Sequence, residues 1–74
     1  MVKKDKINLN RLRIILAEKD ISNKWLAEKL DVTEGTISKW VTNTNQPPLE
    51  KLHEISKLFE IDIKDLIEST LIKK

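Results

Sequence analysis

The stretch Trp25-Leu-Ala-Glu-Lys-Leu-Asp-Val-Thr-Glu-Gly-Thr-Ile-Ser-Lys-Trp40 decides how this chain folds. Two helical patterns meet in it at Asp31-Val32, a turn too short for an ordinary loop, and Thr33 is a suitable N-cap for the second helix. So short a turn holds two helices at a steep angle and leaves one of them projecting from the surface. A projecting helix with short polar side chains and one lysine has the shape that enters a DNA major groove. The positions expected to be buried in this unit are Leu26, Ala27, Leu30, Val32, Ile37 and Trp40.

The composition limits what the chain can be. Its 74 residues form one small domain at most, with room for a few helices and one compact core. With no cysteine, one histidine and one glycine, the sequence excludes disulfides and thiolate metal sites, and most catalytic arrangements cannot be assembled. No run approaches about 20 apolar residues, so a membrane span is not expected. We expect a cytoplasmic protein that is not an enzyme and has no cofactor or metal, with His53 at or near the surface.

Charge is unevenly distributed along the chain, although the net charge is only +2. The first thirteen residues contain one acid, Asp5, and the bases Lys3, Lys4, Lys6, Arg11 and Arg13. A basic arm of this kind either touches DNA phosphates or is a solubilising terminus, and the sequence leaves both open. We expect residues 1–7 to form this arm, residues 8–70 the folded domain and residues 71–74 a tail.

Hydrophobic periodicity predicts an all-α fold with five helices and no strands. Ser22 can cap the second helix, and the third covers about residues 33–41. A polar loop over residues 42–48 ends in Pro48, which suits the first turn of a fourth helix, and Asp62 can cap a short fifth helix. The apolar positions of the first, fourth and fifth helices are Leu9, Leu12, Ile15, Leu16, Leu49, Leu52, Ile55, Leu58, Phe59, Ile63, Leu66 and Ile67.

Together these motifs resemble the Cro/C1-type helix-turn-helix family of bacterial and phage regulators, often called XRE-like. The family pattern has Leu-Ala, Gly-Val-Ser/Thr and Ile/Val-Ser at fixed spacing, then a loop proline and a helix of Leu-x-x-Ile-Ala-x-x-Leu type. The resemblance runs from about Leu9 to Ile67 and implies a compact five-helix, lambda-repressor-like domain. Asp31 and Asn43 stand where the family prefers glycine, and both residue types tolerate a left-handed backbone. The matching residues are Leu26-Ala27, Asp31-Val32-Thr33, Ile37-Ser38, Trp40, Pro47 and Leu52-His-Glu-Ile-Ser-Lys-Leu58.

The resemblance implies base contacts from the exposed early face of the third helix. Lys39 can donate to guanine or to a phosphate, and Thr36 can bond a base or meet a thymine methyl group. Glu34 either accepts from cytosine or simply favours the helix start, and Gly35 either allows close approach or is merely tolerated. Ser38 is expected to pack or to bond locally. The resemblance implies a phosphate contact at Asn23 and Lys24. Asn43, Asn45 and Gln46 are either short donors to phosphate oxygens or residues that are simply common in loops.

The leading hypothesis is a sequence-specific regulator of double-stranded DNA, a repressor that binds a two-fold operator as a homodimer. The sequence leaves open an antitoxin of a toxin–antitoxin pair and a protein-interaction module that has lost DNA binding. Trp40 is expected in the core, whereas Trp25 can cover the core edge, lie near DNA or meet another protein. The candidates for a partner surface are Leu66, Ile67, Leu71 and Ile72.

Overall fold

The computed structural model describes residues 8–69, so the expected arm and tail, residues 1–7 and 71–74, lie outside the described residues. The described part is helical, and its extended backbone makes a single antiparallel bridge, between Asn10 and Ile67. The all-α class is therefore confirmed for these residues. None of their helices has the length and apolar character needed to cross a bilayer. The elements are α1 (Leu12–Lys19), α2 (Asn23–Leu30), α3 (Glu34–Val41), α4 (Leu49–Phe59) and a 3₁₀ helix (Ile63–Leu66).

Helices α1, α2 and α4 end in the same way. The residue after each helix has a left-handed backbone with φ of 58°, and the next N–H donates to the carbonyl five residues earlier. This arrangement satisfies carbonyls that the last helical turn leaves without partners. The predicted left-handed backbone of Asp31 is confirmed. The left-handed residues are Asp20, Asp31 and Glu60, and the donors that follow them are Ile21, Val32 and Ile61.

A capping residue follows each of these endings, so the next helix starts after three connecting residues. The order is always a left-handed residue, an apolar residue that packs against the core, and a cap. This repeated three-residue connector joins one helix to the next with no additional loop residues. Because it is so short, α2 and α3 are held close together. The capping bonds are Trp25 N–H to Ser22 Oγ at 3.1 Å, Thr36 N–H to Thr33 Oγ1 at 3.1 Å, and Lys64 N–H to Asp62 Oδ1 at 3.0 Å.

One hydrophobic core joins all five elements. Trp40 is 5% exposed, so its predicted place in the core is confirmed. Ala27 is also buried, where a larger side chain would push α2 away from its neighbours. The core residues are Leu12, Ile15, Leu16, Leu26, Ala27, Leu30, Ile37, Trp40, Leu52, Ile55, Phe59 and Leu66, with Val32 packed against them.

Four residues that periodicity placed on apolar helix faces lie outside the core. The exposed fractions are 47% for Leu9, 70% for Leu49, 38% for Leu58 and 42% for Ile67. Leu9 precedes α1 and Leu49 is the first residue of α4, so each lies at an end of an element rather than beneath a neighbour. A period detects which residues share a face, but it does not show how far along that face another element extends.

The expected fifth helix is a single turn of 3₁₀ helix, so five α-helices are not confirmed. After the buried Leu66 the backbone becomes extended at Ile67, with φ −122° and ψ 138°. The N–H of Arg11 donates to the Leu66 carbonyl at 2.8 Å, and the N–H of Glu68 donates to the Leu9 carbonyl at 2.9 Å. These long-range bonds use backbone groups that a longer helix would pair internally.

Candidate nucleic-acid interface

Helix α3 buries one side and presents the other to solvent. Ile37 is fully buried, whereas Gly35 and Lys39 are exposed. Residues four apart lie one turn apart on the same helix face, so Gly35 and Lys39 are neighbours, as are Glu34 and Ser38. We call these residues, with the half-buried Thr36 at their edge, the exposed face of α3: Glu34, Gly35, Thr36, Ser38 and Lys39.

Hydroxyl groups hold the first turn of α3. The Oγ1 atoms of Thr33 and Thr36 lie 2.8 Å apart, and Thr33 Oγ1 also accepts the N–H of Thr36. The Thr36 hydroxyl is thus partly used within the helix, while its methyl group and remaining bonding capacity are available to a base. Glu34 lies in the same turn, where its negative charge is favoured by the helix dipole whether or not it meets DNA.

Gly35 is not required by the fold. Among residues 8–69, a Cβ atom added there would meet only the Thr33 Oγ1 atom, at 3.9 Å, which is ordinary van der Waals contact. Its φ is not positive, so the backbone does not need glycine either. Glycine at this position therefore relieves no clash within the protein. It leaves free space on the outer surface of α3.

Lys39 and Ser38 are both available for intermolecular contacts. Within residues 8–69 Lys39 makes no ion pair, because the salt bridges of that part are Lys51–Glu54 and Lys64–Asp65. Ser38 is exposed, which does not fit its expected packing role. Its hydroxyl makes no hydrogen bond within the described part of the chain. Its position one turn from Glu34 places it on the exposed side of α3, so it is a further candidate for a contact.

The start of α2 carries the next predicted contacts, Asn23 and Lys24. Asn23 is half-buried and Lys24 is exposed, and both lie in the first turn after Ser22. Within residues 8–69 the Ser22 side chain bonds only the N–H of Trp25, so earlier N–H groups of this turn have no partner inside the helix. Unpaired N–H groups and the positive end of the helix dipole favour an anion such as phosphate.

The loop between α3 and α4 uses two of its three predicted contact residues internally. Asn43 has the expected left-handed backbone, with φ of 60°. Its Oδ1 accepts the N–H groups of Leu9 and Asn10 at 2.9 and 3.0 Å. Gln46 accepts from Asn10 Nδ2 at 2.8 Å and donates to Asn43 Oδ1 at 3.0 Å. Asn45 is exposed and its side chain makes no hydrogen bond within residues 8–69.

Two arginines, Arg11 and Arg13, lie closer to this loop than their sequence positions indicate, and the Arg11 guanidinium is bonded to the Asp65 carbonyl. Arg13 shares an open groove of about 440 Å³ with Thr42 and Asn43, at the end of α3. Its side chain is exposed and makes no ion pair with the described residues. The sequence grouped Arg13 with the basic stretch near the N-terminus, but only packing of α1 beside α3 brings it to the loop. It is a further candidate for a phosphate contact.

The two remaining residues singled out by sequence have other surroundings. Trp25 stacks on Phe59 with ring centroids 6.4 Å apart, and the Lys29 ammonium lies 5.2 Å from the Trp25 centroid. Trp25 therefore covers the edge of the core, the first of the three roles the sequence left open. His53 is exposed, and residues 8–69 contain no group of three or more candidate metal ligands.

Comparisons with known proteins agree with this geometry. A family model for the Cro/C1-type HTH DNA-binding domain matches residues 11–70. The HTH-type transcriptional activator BcrR of Enterococcus faecalis is 35% identical over 57 residues, which is 77% of this chain but 28% of that protein. The crystal structure of a candidate DNA-binding protein from Bacteroides fragilis has a TM-score of 0.79 and 43% identity, covering 81% of this chain and 97% of the other.

Proposed function

The chain belongs to the Cro/C1-type helix-turn-helix family of DNA-binding domains, and we propose that it is a sequence-specific transcriptional regulator that binds double-stranded DNA. This family consists of DNA-binding domains and not of enzymes. The observation that carries the proposal is the exposed face of α3, a capped helix whose polar side turns away from the core. Tight connectors before α2 and α3 fix the orientation of that face.

In the proposed complex α3 lies in the major groove with its exposed face toward the bases. Lys39 donates to guanine or to a nearby phosphate, and Thr36 offers a hydroxyl and a methyl group. Glu34 accepts from a cytosine amino group at the start of the helix. Gly35 lets the backbone approach the groove floor, which accounts for a glycine that the fold itself does not need.

Phosphate contacts in this proposal come from two regions next to α3. The start of α2 supplies Asn23 and Lys24, and the region where α3 ends supplies Asn45 and Arg13. Asn43 and Gln46 approach the DNA as parts of the same loop, but their amide groups hold the loop together.

We propose that two copies bind a two-fold operator whose half-sites are about 34 Å, one helical turn, apart. One of the four residues expected on the partner surface is not available to a partner. Leu66 is fully buried and cannot contribute, while Ile67 is exposed. Leu71 and Ile72, the other two candidates, lie outside the described residues.

Repression by occupying a promoter is the regulatory role we propose, because occupancy needs only the DNA-binding surface. Activation is a second candidate, since the Enterococcus faecalis relative is named an activator. The chain spans 28% of that relative's length, so the relative's full activity need not be shared. A reporter gene separates the two roles. With the binding site overlapping the promoter, repression predicts lower expression when the protein is present, and activation predicts higher expression from an upstream site.

Selection of binding sites from random duplexes, followed by salt titration, tests DNA binding itself. A regulator should enrich one half-site in two-fold arrangement and lose affinity steeply as salt rises, because each neutralised phosphate releases counterions. Lys39→Ala should weaken binding to the selected site more than to random duplex. Lys57→Ala, an exposed lysine on α4, is the matched control and should leave this ratio unchanged. The absence of any binding to genomic fragments at low salt would favour the interaction-module hypothesis instead.

A further inference from the structure

A buried asparagine ties the loop after α3 to the N-terminal segment. Asn10 is 5% exposed, and a buried amide is unfavourable unless its polar atoms are bonded. Its Nδ2 donates to the Trp40 carbonyl at 2.9 Å and to Gln46 Oε1 at 2.8 Å. Its Oδ1 accepts the N–H of Leu12, in the first turn of α1, at 2.9 Å. Every polar atom of this side chain therefore has a partner.

We propose that Asn10 is a positioning residue for DNA binding, acting through Asn43 and Gln46. These three residues, which we call the amide clamp, hold the last turn of α3 and the following loop against the start of α1. This inference rests on the proposed function of DNA binding. It assigns Asn43 and Gln46 to holding the loop rather than to touching phosphates.

The bonding pattern shows why the clamp restrains the DNA-facing side. The Asn10 side chain donates to the Trp40 carbonyl in the last turn of α3. In the opposite direction, Asn43 Nδ2 in the loop donates to the Asn10 carbonyl at 3.2 Å. Asn43 also has the left-handed backbone that turns the chain out of α3. The loop that carries Asn45 is thus ordered before DNA arrives. Ordering in advance lowers the entropy lost on binding and raises affinity without adding a contact.

A positioning role and a phosphate contact have different signatures. Loss of a lysine or arginine that neutralises a phosphate lowers the slope of log affinity against log salt by about 0.9. Loss of an uncharged amide contact leaves the slope unchanged, so for Asn43 the distinguishing measurement is coupling between substitutions. Loss of advance ordering weakens binding while the same contacts still form in the complex, so the slope stays the same. Residues of one clamp are also coupled, so a second clamp substitution should add little to the first.

The test measures affinity and salt slope for the full chain on the selected operator. Asn43→Gly removes the amide but keeps the backbone, because glycine populates positive φ readily. We expect Asn43→Gly and Asn10→Ala each to weaken binding about tenfold (roughly 1.4 kcal/mol each), with an unchanged slope, and the double variant to be little weaker than either. Asn45→Ala is the matched control from the same loop. It should weaken binding with an unchanged slope, because its amide is uncharged, and combine additively with Asn10→Ala.

Folding is checked for each variant by circular dichroism, and Gln46→Ala, at an exposed position, replaces Asn10→Ala if the latter does not fold. Ile15→Val serves as a destabilised core variant that should keep wild-type affinity. Losses for Asn43→Gly and Asn10→Ala that add in the double variant would overturn the inference and make Asn43 an independent phosphate contact. Unchanged affinity of the clamp variants would also overturn it. A wild-type chain that binds no DNA would instead refute the proposed function, and this inference with it.

Discussion

Replacing Gly35 with alanine should make the domain more stable and weaken its binding to DNA. The added Cβ has room in the protein, since its nearest neighbour is Thr33 Oγ1 at 3.9 Å, and φ is not positive. Alanine is therefore favoured over glycine by about 0.5–1 kcal/mol in a helix interior. Gly35 is the second residue of α3, where the helix is least constrained, so we expect about 0.5 kcal/mol. For a domain of this size that raises Tm by about 2–4 °C.

The effect on DNA has the opposite sign. If α3 approaches the groove floor at Gly35, the new methyl group must push the helix outward and stretch the neighbouring contacts. We expect affinity for the selected operator to fall about tenfold, which is roughly 1.4 kcal/mol. Thermal unfolding followed by circular dichroism gives the first quantity, and fluorescence anisotropy of labelled duplex gives the second.

Glu18→Ala is the control, because it raises helix propensity at an exposed position on α1 and adds no atom to α3. It should raise Tm slightly and leave DNA affinity unchanged. A Tm for Gly35→Ala at or below that of the wild type would refute the packing argument. A higher Tm with unchanged DNA affinity would refute close approach and leave Gly35 as a tolerated residue.

Three further substitutions test the fold that presents this surface. Thr33→Ala removes the cap of α3 and should lower stability by about 1 kcal/mol, seen as a Tm lower by about 4–8 °C; an unchanged Tm would mean that the cap contributes nothing. Glu60→Gly relieves a left-handed backbone and should raise stability by about 0.5 kcal/mol once glycine's greater freedom in the unfolded chain is deducted. A decrease in the urea concentration at the unfolding midpoint would show that glycine's freedom in the unfolded chain outweighs the relief of the left-handed backbone. Leu66→Ala should lower stability by about 2–5 kcal/mol because Leu66 is fully buried, whereas Ile67→Ala should change it little. Equal losses would show that the 3₁₀ helix is not anchored in the core.

Much of the helix-turn-helix unit could be predicted because its signals are local. Asp31 takes a left-handed backbone and Thr33 caps α3 through bonds to residues within a few positions. The burial of Ile37 and Trp40 follows from a period that any helix imposes. The exposed face of α3 could be located for the same reason, except for Ser38, which is exposed and not packed as expected.

Other features depend on residues far apart in sequence. Ile67 leaves the helical pattern because the backbone beside it pairs with the N-terminal segment. Leu49 is exposed because no element of the described part of the chain covers the first residue of α4. Helical periodicity carries no information about either, since it describes one element and not its neighbours.

The amide side chains show most clearly which features are local and which depend on tertiary contacts. Bonds within a few residues specify the four α-helices, their tight connectors and the side of α3 that faces outward, so these features follow from the sequence. The bonds from Asn43 and Gln46 to Asn10, more than thirty residues away, depend on how the helices pack. Asparagine and glutamine suit a phosphate, a turn or a buried network equally well. Which partner each amide meets depends on the packing that brings the N-terminal segment beside the end of α3.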